Sequence, residues 1–105
     1  MDWEKDPELK KLRAEFVCSL SQTKEKLAHC IDELKNLPEN SLLFLEKYEE
    51  IKNIVHRLAG AAESYGFIDL GRCAEEFDEW IEAQWSQTVS KKKCMELGLA
   101  LLTKL

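Results

Sequence analysis

Helix-breaking residues are scarce in this chain, which restricts it to a small number of long helices. Two prolines, Pro7 and Pro38, and four glycines are the main interruptions in 105 residues. Proline and glycine both disfavour helix interiors, so the stretches between them are free to form helices. Asp6 before Pro7 is typical of a helix start, and Ser41 after Pro38 is a suitable cap for the next helix.

Apolar residues recur at spacings of three, four and seven, the period of an amphipathic helix. The residues expected to face the core are Leu9, Leu12, Phe16, Leu20, Leu27, Ile31, Leu34, Phe44, Tyr48, Ile51, Val55, Leu58, Ala62, Phe67, Leu70, Ala74, Phe77, Ile81, Cys94, Leu97, Leu101 and Leu102. Gly66 is expected to end the second helix in the left-handed conformation. Four such helices with short connections predict an all-α fold, an antiparallel up-down-up-down four-helix bundle forming a single domain over residues 1–105.

The net charge of −5 disfavours two classes of partner, nucleic acids and anionic membranes, because both need a basic face. No apolar run approaches the roughly 18–20 residues of a bilayer span. The acidic start of the chain is also unlike a signal peptide. We therefore expect a cytoplasmic monomer that binds neither nucleic acid nor membrane.

The cysteines and glycines lack the spacing of known metal and cofactor sites. Cys18, Cys30, Cys73 and Cys94 form no C-x-x-C pair, so no metal site is predicted. We expect them to be small core residues in a reducing compartment. No glycine-rich nucleotide-binding loop is present, and no cofactor or ATP site is predicted.

One histidine is distinguished by its neighbours. Ala59 and Gly60 follow His56 by three and four positions, which places them on the same face of a helix. Glycine destabilises a helix interior by about 1 kcal/mol, so its presence suggests that another protein needs the space beside the imidazole. The ring points roughly 120° from the centre of the apolar stripe, onto the flank of the helix. His29 has no such neighbours, and we assign it no role.

The residues after His56 form a specific pattern of small and apolar positions. The pattern consists of His56, Leu58, Gly60, Ala61, Ala62, Gly66, Phe67, Leu70, Ala74 and Phe77. It resembles the histidine phosphotransfer domain of multistep phosphorelays, most specifically over residues 51–80. The resemblance implies that His56 accepts a phosphoryl group from a receiver-domain aspartate and passes it to another response regulator. It also implies that the chain is a phosphocarrier without kinase activity. The implied partners are a hybrid histidine kinase and a receiver domain, and the receiver domain brings its own Mg²⁺ and lysine.

The same pattern predicts where a receiver would dock. We place the docking surface on the exposed side of the second helix, with Ala59, Gly60 and Glu63 at its centre. The chain departs from the pattern at one position, because many members have lysine where this chain has Ala59. Another positive charge must then neutralise the phosphoryl group.

Two cations and one carboxylate are candidates for assisting His56. Lys52 lies four positions before His56, in the direction in which helical side chains lean, and it is our first choice; Arg57 is the second. Members of the family often place Gln or Glu twenty-two positions after the histidine, which here is Asp78. A carboxylate there would accept a hydrogen bond from Nδ1 of His56 and leave Nε2 as the nucleophile.

Two other functions stay open at this point. The first is a helical adaptor that binds a receiver domain or a histidine kinase without phosphorylation, and the absence of lysine at Ala59 is its main support. The second is a small enzyme of unrelated chemistry, for which the only support is scattered Asp, Glu and Cys residues.

Overall fold

The computed structural model describes residues 6–84 and 89–105. It contains the helices α1 (Pro7–Lys35), α2 (Leu42–Ala61), α3 (Ile68–Ala83) and α4 (Lys91–Leu102), with a short 3₁₀ turn at Glu63–Tyr65. No strand occurs in these two ranges. The predicted all-α class is therefore confirmed. The connection predicted over residues 84–90 lies partly outside the described residues.

Side-chain caps begin α1 and α2 at the positions that the sequence predicts. Asp6 accepts a hydrogen bond from the backbone N–H of Glu8 at 2.9 Å. Ser41 Oγ accepts one from the N–H of Phe44 at 3.2 Å. These bonds satisfy backbone donors that have no partner within the helix. At the other end of α2, Gly66 has a φ of 90° and reverses the chain toward α3, as predicted.

The core lies where the apolar faces of the four helices meet. The stripe predicted for α2 is buried along its whole length. Phe44 and Phe77 are the largest fully buried side chains, and burying such a side chain contributes about 1.5–3 kcal/mol. The buried apolar residues are Leu27, Cys30, Ile31, Leu34, Phe44, Tyr48, Ile51, Ile54, Val55, Leu58, Ala62, Leu70, Ala74, Phe77, Ile81, Val89, Cys94 and Leu101.

Each helix packs against two others in the ring α1–α2–α3–α4. Near the start of α1, Arg13 Nε donates to the carbonyl of Tyr65 at 3.0 Å, just beyond the end of α2. Near the other end, the Cys30 thiol donates to Glu50 Oε2 at 3.4 Å. The antiparallel order of the helices remains a prediction. The contact between the start of α1 and the segment after α2 favours it.

The α1–α2 connection and the segment before α4 are joined by one side chain. Asn40 Oδ1 accepts from the N–H of Val89 at 2.9 Å, and its amide nitrogen donates to the Val89 carbonyl at 3.0 Å. Nearby, Lys91 Nζ donates to the carbonyl of Leu37. These bonds join the α1–α2 connection to the segment that leads into α4.

The first turns of α1 differ from the expected core pattern. Leu12 is 45% exposed and Leu9 is half-buried, although both belong to the predicted apolar stripe. The reason is length, because α1 has 29 residues and its neighbour α2 has 20. The prediction that all four cysteines lie in the core is wrong for Cys18, which is exposed on the same part of α1. Of the other three, two are buried and one is half-buried.

Candidate functional site

His56 lies on the exposed flank of α2. It directly follows Val55, which is fully buried, and a step of about 100° along the helix turns its side chain out of the core. The side chain is 74% exposed. A ring in this position is open to a partner protein while its backbone is held by a packed helix.

Asp78 of α3 approaches the ring from the neighbouring helix. Its Oδ2 lies 3.4 Å from Nδ1 of His56, the approach that the sequence predicts for this pair. Asp78 directly follows the fully buried Phe77, and its side chain is only 21% exposed. The other oxygen, Oδ1, is buried and has no hydrogen-bond partner among the described residues. When Nδ1 carries the proton it can donate to Oδ2, and the lone pair of Nε2 then points away from α3.

Open space adjoins the ring on the C-terminal side. Apart from its chain neighbours and the backbone of its own helix, a Cβ atom added at Gly60 would meet no heavy atom within 4 Å in the described part of the chain. Ala59 is half-buried, and Glu63 is exposed in the 3₁₀ turn. Glu63 packs closely over α3, since a Cβ added at Gly71 would lie 2.5 Å from its Cγ. The role of these residues in partner binding stays a prediction.

A cleft on the α1 side of His56 is lined by several charged side chains. It is lined by Lys26, Glu50, Asn53, His56 and Arg57. Of these, the sequence analysis identified only the histidine and Arg57. Asn53 lies one helical turn before His56, so helix geometry was a signal that could have found it. Lys26 comes from α1, and no local pattern relates it to the histidine.

The two cations predicted to assist His56 have different surroundings. Arg57 lines the cleft and also a second groove between α1 and α2. The Lys52 ammonium lies 3.9 Å from Glu49 Oε1, on its own helix. The structure thus brings Arg57 into the cleft of His56, whereas the cleft lining within the described residues does not include Lys52. The functional role of either residue stays a prediction.

Comparison with protein families gives one match. The model of the Hpt domain family covers residues 19–103, well over half of the chain. The chain belongs to the Hpt domain family. Hpt domains take part in histidine phosphotransfer in phosphorelays, and they are phosphocarriers rather than kinases. The resemblance noted over residues 51–80 is thereby confirmed, and the match extends it into α1 and α4. No curated protein and no solved structure gives a significant match.

Beside the cleft, this Hpt domain has a chain of ionic contacts between α1 and α2. Lys47 Nζ lies 2.8 Å from Glu33 Oε2 and 3.1 Å from Glu50 Oε2. The hydrogen bonds from Lys47 are the main reason that the pKa values of Glu33 and Glu50 are lowered. Burial, followed by the hydrogen bond to Glu50, raises the pKa of the Cys30 thiol to about 11. Lys47 and Cys30 thus donate to the same oxygen of Glu50, Oε2.

The described part of the Hpt domain contains neither a cluster of metal ligands nor a membrane-spanning helix. No group of three His, Cys, Asp or Glu side chains in it is arranged to hold a metal. Across the same residues, every helix is too short or too polar to cross a bilayer. The absence of a cofactor remains a prediction.

Proposed function

We propose that this Hpt domain accepts a phosphoryl group on Nε2 of His56 from the aspartyl phosphate of a receiver domain and passes it to another response regulator. The observation that carries the proposal is the exposed ring whose Nδ1 lies 3.4 Å from Asp78 Oδ2. A carboxylate at Nδ1 favours the tautomer in which Nε2 has a free lone pair. An imidazole is a competent nucleophile near neutral pH in this form.

The proposed transfer forms one bond and breaks one. The lone pair of Nε2 attacks phosphorus, and the bond between phosphorus and the aspartate oxygen breaks with its electron pair remaining on the receiver carboxylate. The phosphorylated ring keeps its Nδ1 proton and becomes cationic. Asp78 stabilises this cation, and the reverse sequence returns the group to a second aspartate. Positioning and charge neutralisation contribute most to such a transfer.

The proposal includes the setting of the domain. We place residues 1–105 as one domain that acts as a cytoplasmic monomer, without kinase activity of its own. Its partners are a hybrid histidine kinase and the receiver domains before and after it in the relay. Ala59, Gly60 and Glu63 form the centre of the docking surface, because Gly60 adjoins open space and Glu63 is exposed.

The test is transfer of radioactive phosphate from a panel of phosphorylated receiver domains. The wild-type protein should acquire an acid-labile, base-stable label, and His56→Gln should acquire none while keeping its helical circular dichroism. His29→Gln is the matched control and should be labelled like the wild type. Label on His56→Gln would refute the assignment. Receiver binding without label on the wild type would instead establish a phosphorylation-independent adaptor, which Ala59 in place of lysine favours.

A further inference from the structure

The cleft beside His56 has a cation that belongs to a different helix. A phosphoryl group on Nε2 carries close to two negative charges, and these need neutralising partners. Arg57 of α2 lines the cleft and is the predicted source of one such charge. We propose that Lys26 on α1 supplies the second, so that Lys26 and Arg57 together hold the phosphoryl oxygens on His56. This inference rests on the proposed function and identifies a phosphoryl-binding residue in the same site.

Helix geometry places Lys26 toward α2. Thr23, one turn earlier on α1, lines a groove together with Arg57. Cys30, one turn later, donates its thiol hydrogen bond to Glu50 at 3.4 Å. Residues spaced by three and four share one face of a helix, so Lys26 lies between these two contacts, facing α2. The lining of the cleft agrees with this placement, because it includes Lys26 and Asn53.

The lining of the cleft contains two cations, Lys26 and Arg57, and one carboxylate, Glu50. Glu50 is the acidic residue in the lining, and Lys47 Nζ is bonded to it at 3.1 Å. Hydrogen bonds from Lys47 and Cys30 lower the pKa of Glu50, and the charges of Lys47 and Lys26 add to this effect. The ammonium of Lys26 is therefore close enough to interact with a charge in the cleft. The Asn53 amide adds a neutral donor on the same wall.

The position of the ring makes the side of the cleft with Lys26 and Asn53 accessible to the transferred phosphoryl group. Nδ1 faces Asp78 on α3, and Nε2 lies on the other side of the ring. The cleft is bounded by α1, which packs on α2 independently of α3. A group bonded to Nε2 thus extends away from the carboxylate, and in the proposed arrangement it meets the cations of the cleft lining.

The test compares Lys26→Gln with Lys24→Gln, which removes the same charge from an exposed position two residues away on α1. Phosphoramidate serves as a small donor. Its P–N bond breaks as Nε2 attacks phosphorus, and ammonia leaves. Phosphorylation of His56 should be about five- to tenfold slower in Lys26→Gln, whereas Lys24→Gln should stay within about twofold of the wild type. Equal rates in the two variants would overturn the role of Lys26.

A rescue separates charge from structure. In the Lys26→Gln background, Ala59→Lys places a new ammonium one turn after His56 and should restore most of the lost rate. Lys26→Arg should retain at least half of the wild-type rate. Failure of both would overturn the proposed role, and circular dichroism shows whether each variant is folded.

The small donor also distinguishes this inference from the proposed function. If phosphoramidate labels His56 but no receiver domain does, the relay function fails while the Lys26 comparison still gives its answer. If receivers label His56 and Lys26→Gln behaves like Lys24→Gln, only the inference about Lys26 fails. If neither phosphoramidate nor any receiver domain labels His56, both proposals fail.

Discussion

The two histidines of this Hpt domain have similar immediate surroundings, but the carboxylates beside their rings are held in different ways. Both are exposed, with side chains 74% exposed at His56 and 70% at His29. Both rings also lie beside a carboxylate, Asp78 for His56 and Glu33 for His29. Exposure and an acidic neighbour therefore do not distinguish a phosphoryl acceptor from an ordinary surface histidine.

The difference is the origin of the carboxylate. Glu33 is on the same helix as His29, four positions along, and Lys47 also binds it. Exposed pairs of this kind add little to the stability of a helix, and their side chains are free to separate. Asp78 is twenty-two residues from His56, on another helix, and it follows a fully buried residue. A carboxylate anchored by the core can orient a ring, whereas one on a shared surface helix pairs with it only loosely.

Blocking the open space beside His56 should have the largest effect. Gly60→Gln should lower transfer from a receiver about a hundredfold, because the added side chain keeps the partner from its reactive position. Phosphoramidate should still label the variant at nearly the wild-type rate, since a small donor avoids the obstruction. The free energy of unfolding, measured with urea, should be unchanged or higher by up to about 0.5 kcal/mol, because glutamine has a higher helix propensity than glycine.

Ala100→Gln, at an exposed position of α4, is the control for a larger side chain outside the docking surface. It should transfer like the wild type. Wild-type transfer by Gly60→Gln itself would remove the steric role of the glycine.

Removing the charge that holds the ring should have a smaller effect. Asp78→Asn should slow phosphorylation by either donor about tenfold, because the cationic phosphorylated ring loses its counter-ion. Nitrogen chemical shifts of the ring should show a smaller share of the tautomer protonated at Nδ1. Glu33→Gln makes the same change beside His29 and should alter neither rate nor the His56 tautomer. An unaltered tautomer in Asp78→Asn would mean that Asp78 does not orient the ring.

Removing the ionic contacts of Lys47 should change the pH dependence of stability, and this is the smallest of the expected effects. Hydrogen bonds from Lys47 lower the pKa values of Glu33 and Glu50 below their usual 4.5. Carboxylates with lowered pKa stabilise the fold above about pH 4.5, and this contribution is lost as the pH falls toward the folded-state pKa values. When the pH is lowered from about 7 to about 3, the free energy of unfolding should therefore fall less for Lys47→Met than for the wild type.

The measurement is the urea midpoint at each pH, with Lys24→Met as the matched control. Lys24→Met should follow the wild-type profile. A Lys47→Met profile that is parallel to the wild-type curve would show that these ionic contacts contribute nothing to the fold.

Local sequence signals account for much of the fold. Asp6 and Ser41 cap helices because a cap needs only a polar side chain and its nearest N–H groups. The buried stripe of α2 follows from helical periodicity alone. Leu12 shows where periodicity is insufficient, because burial also requires a neighbouring helix at that level. The 3₁₀ turn before Gly66 was not predicted, since it depends on how the chain packs over α3.

The site is predictable only where it lies along one helix or follows a family spacing. His56 and Gly60 are neighbours on α2, and Asp78 was located by its distance in sequence from the histidine. Lys26 has no such relation. It comes beside His56 only through the alignment of α1 with α2, which depends on contacts such as that between Cys30 and Glu50.

The one-sided presentation of His56 also constrains the order of events in a relay. Because Nδ1 is turned toward Asp78, the proposed transfer brings the phosphoryl group to a single atom, Nε2, and removes it from the same atom. Donor and acceptor must then occupy the same face in turn, as substrates do in a ping-pong reaction. An acceptor receiver in large excess would bind the unphosphorylated domain and keep the donor away from His56. Phosphoryl transfer from donor to acceptor would then become slower. The relative concentrations of the two receivers, and the rates at which each dissociates, would therefore set the flux through this domain.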